Sequence, residues 1–481
     1  MIQMKDVSKV YENGAVALEH IDVSIEKGDF VFIVGASGAG KSTFIRLLFR
    51  EVLPSGGSLE VNGHDVIHMS HREVPYLRRE LGVIFQDYRL LPDKTVFENV
   101  AFAMQVIEAP RRRIQHSVNA VLDIVGLRDK YKCFPSQLSG GQKQRCALAG
   151  VMVDDVDILL FDEPLANLDP ATGEVAIELI DELCHAGKTV LIIEHRLEDV
   201  LHRHVDRIVL MRDGEIVMDD TPDKVLSSAA LAKEGLREPL YLTACRYAGI
   251  TITEEMHPES LEAMNLSAIR EPLAVWYDTQ GEPTSPEKQD ALLQIRDISF
   301  SYDGVRPILS HVSMDIHAGE MVSIVGKNGA GKSTLSKILT GFIKPDAGTV
   351  QMKGKDLSVL TISERAEQIG LVLQNPNQMI SKTKIYDEIA LGLRIRKIDE
   401  TEIDHRVSQV MKICGLLPFK TWPISALSYG QKKRVTIASI LVLRPQVLIL
   451  DEPTAGQDYR HYSEIMEFLK KLNEIGQTII L

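Results

Sequence analysis

The sequence predicts an α/β fold present twice, each copy with a mainly parallel sheet core, an antiparallel β-subdomain and a helical subdomain. Three observations carry this expectation. The apolar run Phe30-Val31-Phe32-Ile33-Val34 leads into Gly35-Ala36-Ser37-Gly38-Ala39-Gly40-Lys41-Ser42-Thr43 and then into the helical pattern Phe44-Ile45-Arg46-Leu47-Leu48. The same arrangement recurs 291 residues later, where Met321-Val322-Ser323-Ile324-Val325 precedes Gly326-Lys327-Asn328-Gly329-Ala330-Gly331-Lys332-Ser333-Thr334. The continuous apolar run Val156 to Phe161 is typical of a parallel strand covered on both faces, and it ends in Asp162-Glu163-Pro164.

Each glycine-rich turn matches G-x-x-x-x-G-K-[ST] in its strand-turn-helix setting, so the fold is a duplicated P-loop NTPase. The glycines let successive N–H groups converge on a phosphate, and the following helix adds its positive N-terminal end. Lys41 is placed for the β- and γ-phosphates and Ser42 for Mg²⁺. The nucleoside triphosphate and Mg²⁺ are therefore the expected ligands. Tyr11 with Tyr302, Gln86 with Gln374, Ser139 with Ser428 and Asp162 with Asp451 keep nearly the same offset, which makes the chain two copies of one domain.

In chain order, residues 2–32 alternate as an antiparallel β-subdomain, with Val7, Val10, Val16, Leu18, Ile21, Val23 and Ile25 as apolar positions and Asn13-Gly14 as a hairpin turn. Tyr11 precedes that turn and is read as an aromatic platform for the adenine ring, as is Tyr302. Gly82-Val83-Ile84-Phe85-Gln86 and Gly370-Leu371-Val372-Leu373-Gln374 read as buried strands ending in an amide, placed either to ligate Mg²⁺ or to be an ordinary loop residue. Residues 95–132 read as helices. Ser139-Gly140-Gly141-Gln142 then opens a helix N-terminus and offers a second anion cradle. Asp162 suits a water-mediated hold on Mg²⁺, and Glu163 suits the general base on the attacking water. His195 follows the strand Thr189–Ile193 where a γ-phosphate sensor is needed.

Composition narrows the classes. With 54 Lys+Arg against 67 Asp+Glu the net charge is −13, which gives no footprint for nucleic acid. The five cysteines are scattered without C-x-x-C spacing, as expected of reduced thiols in a cytosolic protein rather than of disulfides or a zinc site. Met1 runs directly into polar residues, and no 18 successive residues are apolar, so the sequence predicts a chain that does not span a membrane but can rest against one.

The P-loop, strand-end Gln, Leu-Ser-Gly-Gly-Gln, Asp-Glu-Pro, Leu165-Ala166-Asn167-Leu168-Asp169 turn and strand-end His, in that order, resemble the nucleotide-binding subunits of ABC transporters. The resemblance covers all but roughly residues 226–290. It implies two domains closing head to tail around two ATP molecules. Lys41, Ser42, Gln86, Asp162, Glu163 and His195 would then be completed by Ser428, Tyr429, Gly430 and Gln431. Lys332, Ser333, Gln374, Asp451 and Glu452 would be completed by Ser139, Gly140, Gly141 and Gln142. On this resemblance Ser42, Gln86, Asp162, Ser333, Gln374 and Asp451 would serve the metal. Fusing both halves raises their effective concentration, to roughly the millimolar range for a flexible linker of suitable span. The expected division is residues 1–225, a connector 226–290, and a second domain 291–481 that is C-terminally incomplete.

Within the family, Gln374-Asn375-Pro376-Asn377-Gln378 with Tyr386 to Leu393 resembles the energy-coupling-factor importers of vitamins and metal cofactors. Leu236 to Tyr241 with Arg246 to Gly249 is similar to the duplicated ATPases associated with hydroxymethylpyrimidine or thiamine uptake. Residues 1–142 resemble instead the ABC ATPase of bacterial cell division, on the stretches Gly82 to Pro92 and Thr95 to Val100. The resemblance implies an integral membrane transporter subunit as partner, a peripheral position on the cytoplasmic face, and no nucleic acid. A cell-division role and a cytosolic twin-domain protein acting on ribosomes are the alternatives. The ribosomal one would favour a long charged helical connector and a basic balance, and neither is present. Two departures bear on turnover. Tyr429 replaces a glycine, where its ring either weakens the first site or points away. The counterpart of His195 would fall three residues past Leu481, so the second site is expected to hydrolyse poorly.

Overall fold

The computed structural model describes residues 1–481 except 86, 155, 166, 167, 169, 282–290, 328 and 455–458. Gln86, Asn328 and the Ala166, Asn167 and Asp169 positions of the turn lie outside the described residues. The chain forms two compact units, the first Met1–Glu282 and the second most of Pro283–Leu481.

In the first unit β1 (Ile2–Val10), β2 (Val16–Ile25), β4 (Gly56–Val61) and β5 (His64–Asp65) form an antiparallel sheet in the order β2-β1-β4-β5. Val10 pairs with Val16 across the hairpin, as the Asn13-Gly14 turn predicts. Both valines are exposed, at 42% and 53%, at the hairpin end of the sheet. The second sheet contains β3 (Phe30–Gly35), β6 (Leu81–Ile84), β7 (Ile158–Asp162), β8 (Thr189–Ile193), β9 (Arg207–Arg212) and β10 (Glu215–Asp220) in the order β10-β9-β3-β8-β7-β6. Its pairs are parallel except β9 with β10.

β3 lies between β8 and β9, so both of its edges are hydrogen-bonded and both faces are covered. Phe30, Phe32 and Val34 face a core shared with the helices. Val31 and Ile33 face a second core shared with the antiparallel sheet and the helix Lys41–Leu48, as the two-residue period of a strand requires. The P-loop thus leaves the middle of a rigid sheet at its carboxyl edge, where α/β folds bind ligands. The segments after Asp220 continue the first unit. Leu231, Leu236, Leu242 and Cys245, on or beside the helices Ala230–Lys233 and Leu240–Tyr247, are buried in its core.

In the second unit β11 (Ala291–Phe300), β12 (Leu309–His317), β14 (Ala347–Met352) and β15 (Lys355–Asp356) repeat the antiparallel sheet. β13 (Met321–Val322), β16 (Ile369–Val372), β17 (Val447–Leu450) and β18 (Thr478–Ile480) form a parallel sheet in the order β13-β18-β17-β16. The strand expected over residues 321–325 is only two residues long. Among the described residues β13 pairs with β18, and Val325 is 86% exposed. β16 likewise stops at Val372 rather than reaching Gln374, which leaves that amide on an exposed loop. Among the described residues no helix is long and apolar enough to cross a membrane.

Candidate functional site

In the first unit the chain turns out of β3 into the helix Lys41–Leu48 through Gly40, whose φ of 97° is left-handed and favours glycine. A Cβ at Gly40 would also run into the Ala17 carbonyl. Lys41 is only 5% exposed, and its Nζ donates to the carbonyls of Gly35 and Ala36 at 2.7 and 2.8 Å. The ammonium is thus held over the loop that presents the N–H groups. Ser42 Oγ donates to Asp162 Oδ1 at 3.4 Å. Burial pushes the Asp162 carboxyl above the usual range, Glu163 adds repulsion, and the Ser42 hydrogen bond opposes both.

Glu163 follows β7 with φ of 52°, and Glu452 holds the matching position in the second unit with φ of 45°. A left-handed glutamate is uncommon, and the same strain in both copies turns each carboxylate out of its strand direction. Glu163 Oε1 lies 2.8 Å from His195 Nε2, both side chains about one-fifth exposed. Tyr11 Oη lies 3.2 Å from Thr43 Oγ1, which ties the aromatic ring to the P-loop helix.

Ser139 caps the helix Gly140–Met152: its Oγ accepts from the Gln142 N–H at 3.3 Å, and Gln142 Oε1 accepts from the Ser139 N–H at 2.9 Å. The structure therefore brings Tyr11, the P-loop, Asp162, Glu163 and His195 together, while Ser139 and Gln142 engage each other.

The second unit repeats these contacts with changes. Lys332 Nζ donates to Gly326 and Lys327 carbonyls, Ser333 Oγ donates to Asp451 Oδ1 at 3.0 Å, and Tyr302 Oη lies 3.3 Å from Thr334 Oγ1. Glu452 Oε2 accepts from Gln374 Nε2 at 2.9 Å. Ser428 and Gln431 form the same reciprocal cap. The Tyr429 ring is turned back within its own unit, its hydroxyl donating to the Gln374 carbonyl at 3.3 Å.

Four supporting side chains escaped the sequence reading. Glu194 is 2% exposed and accepts from the Leu165 and His195 N–H groups at 2.9 and 2.8 Å; burial pushes its carboxyl upward. Arg196 donates to the Leu165 and Leu168 carbonyls. Gln144 donates to the Pro164 carbonyl, and Lys433, at the corresponding position, donates to the Leu373 and Gln374 carbonyls. Burial lowers the Lys433 ammonium to about 8, against the opposing pull of Asp451 and Glu452. The available signal was a charged pair flanking His195 at the end of a buried strand, and a polar residue five positions after each serine cap.

The hydroxyl and carboxylate at Ser42 and Asp162 are hard oxygen donors that fit Mg²⁺ only with phosphate oxygens and waters completing the shell. Among the described residues no group of three His, Cys, Asp or Glu side chains could hold a metal by itself. A carboxylate and a hydroxyl beside a lysine-bearing phosphate cradle suit a metal-nucleotide complex, and such a site defines a nucleotide-hydrolysing P-loop protein. The comparisons narrow the class. The ABC transporter family model matches residues 18–166 and 309–455, and a model described as ATP-binding cassette cobalt transporter matches 228–300. A Clostridium perfringens (strain 13 / Type A) protein named as an ABC transporter ATP-binding protein is 49% identical over 493 residues, covering 100% of this chain and 86% of its own. A similarly named Vibrio vulnificus (strain CMCP6) protein is 47% identical over 490 residues, covering 100% of this chain and 85% of its own. Among solved structures, cbiO1 from Clostridium perfringens, part of the ABC transporter complex cbiONQ, is 27% identical, with TM-score 0.45, and covers 51% of this chain and 98% of that one. The chain belongs to the ABC transporter family and is an ATPase of a transporter.

Proposed function

We propose that the chain powers an energy-coupling-factor type importer of a vitamin or cofactor precursor from the cytoplasmic face of the membrane, bound to integral membrane subunits. The observation that carries this reading is the match of residues 228–300 to the cobalt-transporter cassette model, in a chain that also holds two P-loops. The quoted resemblance around Gln374–Gln378 points to the same class.

On this reading the loop N–H groups and Lys41 bind the phosphates, and Ser42 and Asp162 hold Mg²⁺, which supplies charge neutralisation when bound. Glu163 takes the proton of the attacking water, and His195, already on the Glu163 carboxylate, fixes that carboxylate's orientation. Lys332, Ser333, Asp451 and Glu452 do the same in the second unit. The family resemblance implies that Ser428 and Ser139 would each complete the site of the opposite unit, in which case hydrolysis would require both halves.

A tag on this chain in detergent-solubilised membranes of its own host tests the partner. Multi-spanning membrane proteins should co-purify in fixed proportion. Recovery of ribosomal particles instead, or of cell-division components, would overturn the importer reading.

A further inference from the structure

The helix that begins after Ser428 carries two side chains that turn back onto one backbone carbonyl. Tyr429 Oη donates to Gln374 O at 3.3 Å, and one turn further on Lys433 Nζ donates to the same oxygen at 2.6 Å and to Leu373 O at 3.1 Å. Lys433 is 1% exposed. A buried ammonium is costly unless acceptors surround it, so these two carbonyls hold Lys433 as firmly as it holds them.

Gln374 is gripped on its other side as well. Its Nε2 donates to Glu452 Oε2 at 2.9 Å. The main chain of this one residue is thus fastened to the helix after Ser428, and its side chain reaches the carboxylate after β17.

The first unit is wired differently at both positions. Gly140 stands where the second unit has Tyr429, and it offers no side chain. Gln144 stands where the second unit has Lys433, is 3% exposed, and donates to the carbonyl of Pro164, the residue after Glu163. The bulky departure at Tyr429 is therefore half of a two-point fastening; Gly140 supplies no side chain for such a contact, and Gln86, the first unit's counterpart of Gln374, lies outside the described residues.

We propose that Lys433 and Tyr429 are positioning residues for hydrolysis in the second unit, holding the Gln374 main chain so that its amide stays on Glu452. The proposal rests on Glu452 acting as the base.

The test uses the full chain carrying Glu163→Gln, so that remaining turnover reports Glu452, together with hydrogen exchange of the 373–379 backbone without nucleotide. Lys433→Met should speed exchange in that segment by about tenfold. It should also lower kcat by about tenfold while KM for ATP stays within about twofold, as expected when a group is misplaced rather than removed. Lys433→Arg restores donors to both carbonyls and should recover both readouts. Tyr429→Phe should show the same pattern more weakly. Should Lys433→Met fail to fold, Lys433→Gln, which copies the first unit, carries the same expectation. Unchanged exchange at 373–379, or equal loss in Lys433→Arg and Lys433→Met, would overturn the proposal. Where turnover is too low to measure, the exchange comparison decides. If Glu452→Gln leaves the remaining turnover untouched, the assignment of the base fails, and the exchange result reports separately on the fastening.

Discussion

His195 Nε2 lies 2.8 Å from Glu163 Oε1, so the imidazole and the carboxylate at the ends of β8 and β7 form a single unit. Glu452 accepts from the Gln374 Nε2 amide, which donates a hydrogen bond but cannot take up a proton. Glu163→Gln should lower turnover at its own site by about 10²–10⁴-fold, the usual loss of a general base. Glu452→Gln should remove a smaller share of the total, and His195→Ala should fall between them. Steady-state phosphate release by the three full-length variants checks the order; equal losses from the two glutamate variants would refute the asymmetry.

Asp162 sets function against stability. Its carboxyl is pushed upward by burial first and by Glu163 second. A carboxyl whose folded value is raised prefers the protonated form when folded. Its contribution therefore favours the fold at low pH and weakens as pH rises from the unfolded value through the raised one, leaving a penalty at neutral pH. Asp162→Asn removes that charge and keeps an oxygen to accept from Ser42. The nucleotide-free variant should melt at a higher temperature than the parent chain at pH 7. Its magnesium-dependent hydrolysis should be lost. A lower melting temperature by calorimetry would show that the Ser42 contact outweighs the burial of charge.

The candidate site was legible as a constellation because its residues are local in sequence: Gly35 to Thr43 carry their own turn, and Asp162-Glu163 mark the end of an apolar run. The expected strand before the second P-loop was not, since strand length depends on neighbours far along the chain. Val10 and Val16 continue the apolar alternation of Val7 and Leu18 yet are exposed, because alternation in sequence continues past the point where the core ends. Tyr429 read as a side chain that either crowds a phosphate or turns away. Only the position of the Gln374 carbonyl decides where its hydroxyl goes.

Glu194 was overlooked beside His195, yet three N–H groups depend on it. It is 2% exposed, and the Leu165, His195 and Arg196 amides donate to it. Glu194→Ala leaves these donors without this acceptor and should destabilise the chain by about 1–3 kcal/mol. Glu194→Gln keeps an oxygen for one of them and should cost less than about 1 kcal/mol, since burial already disfavours the charged form. Urea unfolding of the two variants checks the difference. Equal midpoints would mean that the Leu165 turn is held without this carboxylate.

Tyr11 and Tyr302 are each tied through the hydroxyl to the P-loop helix, at 3.2 Å to Thr43 and 3.3 Å to Thr334. A ring anchored there has a face to offer the base of a nucleotide whose phosphates lie in the loop. Such stacking contributes about 1–3 kcal/mol, so Tyr11→Ala should weaken ATP binding by roughly 5- to 150-fold. Tyr11→Phe keeps the ring and loses only the tether, so its affinity should stay within about threefold, the effect of an ordinary neutral hydrogen bond. Titration with a fluorescent ATP analogue, in a chain carrying Lys332→Ala to suppress the second site, separates the two. If alanine and phenylalanine weaken binding equally, the hydroxyl rather than the ring is what the nucleotide needs, and the adenine platform is disproved.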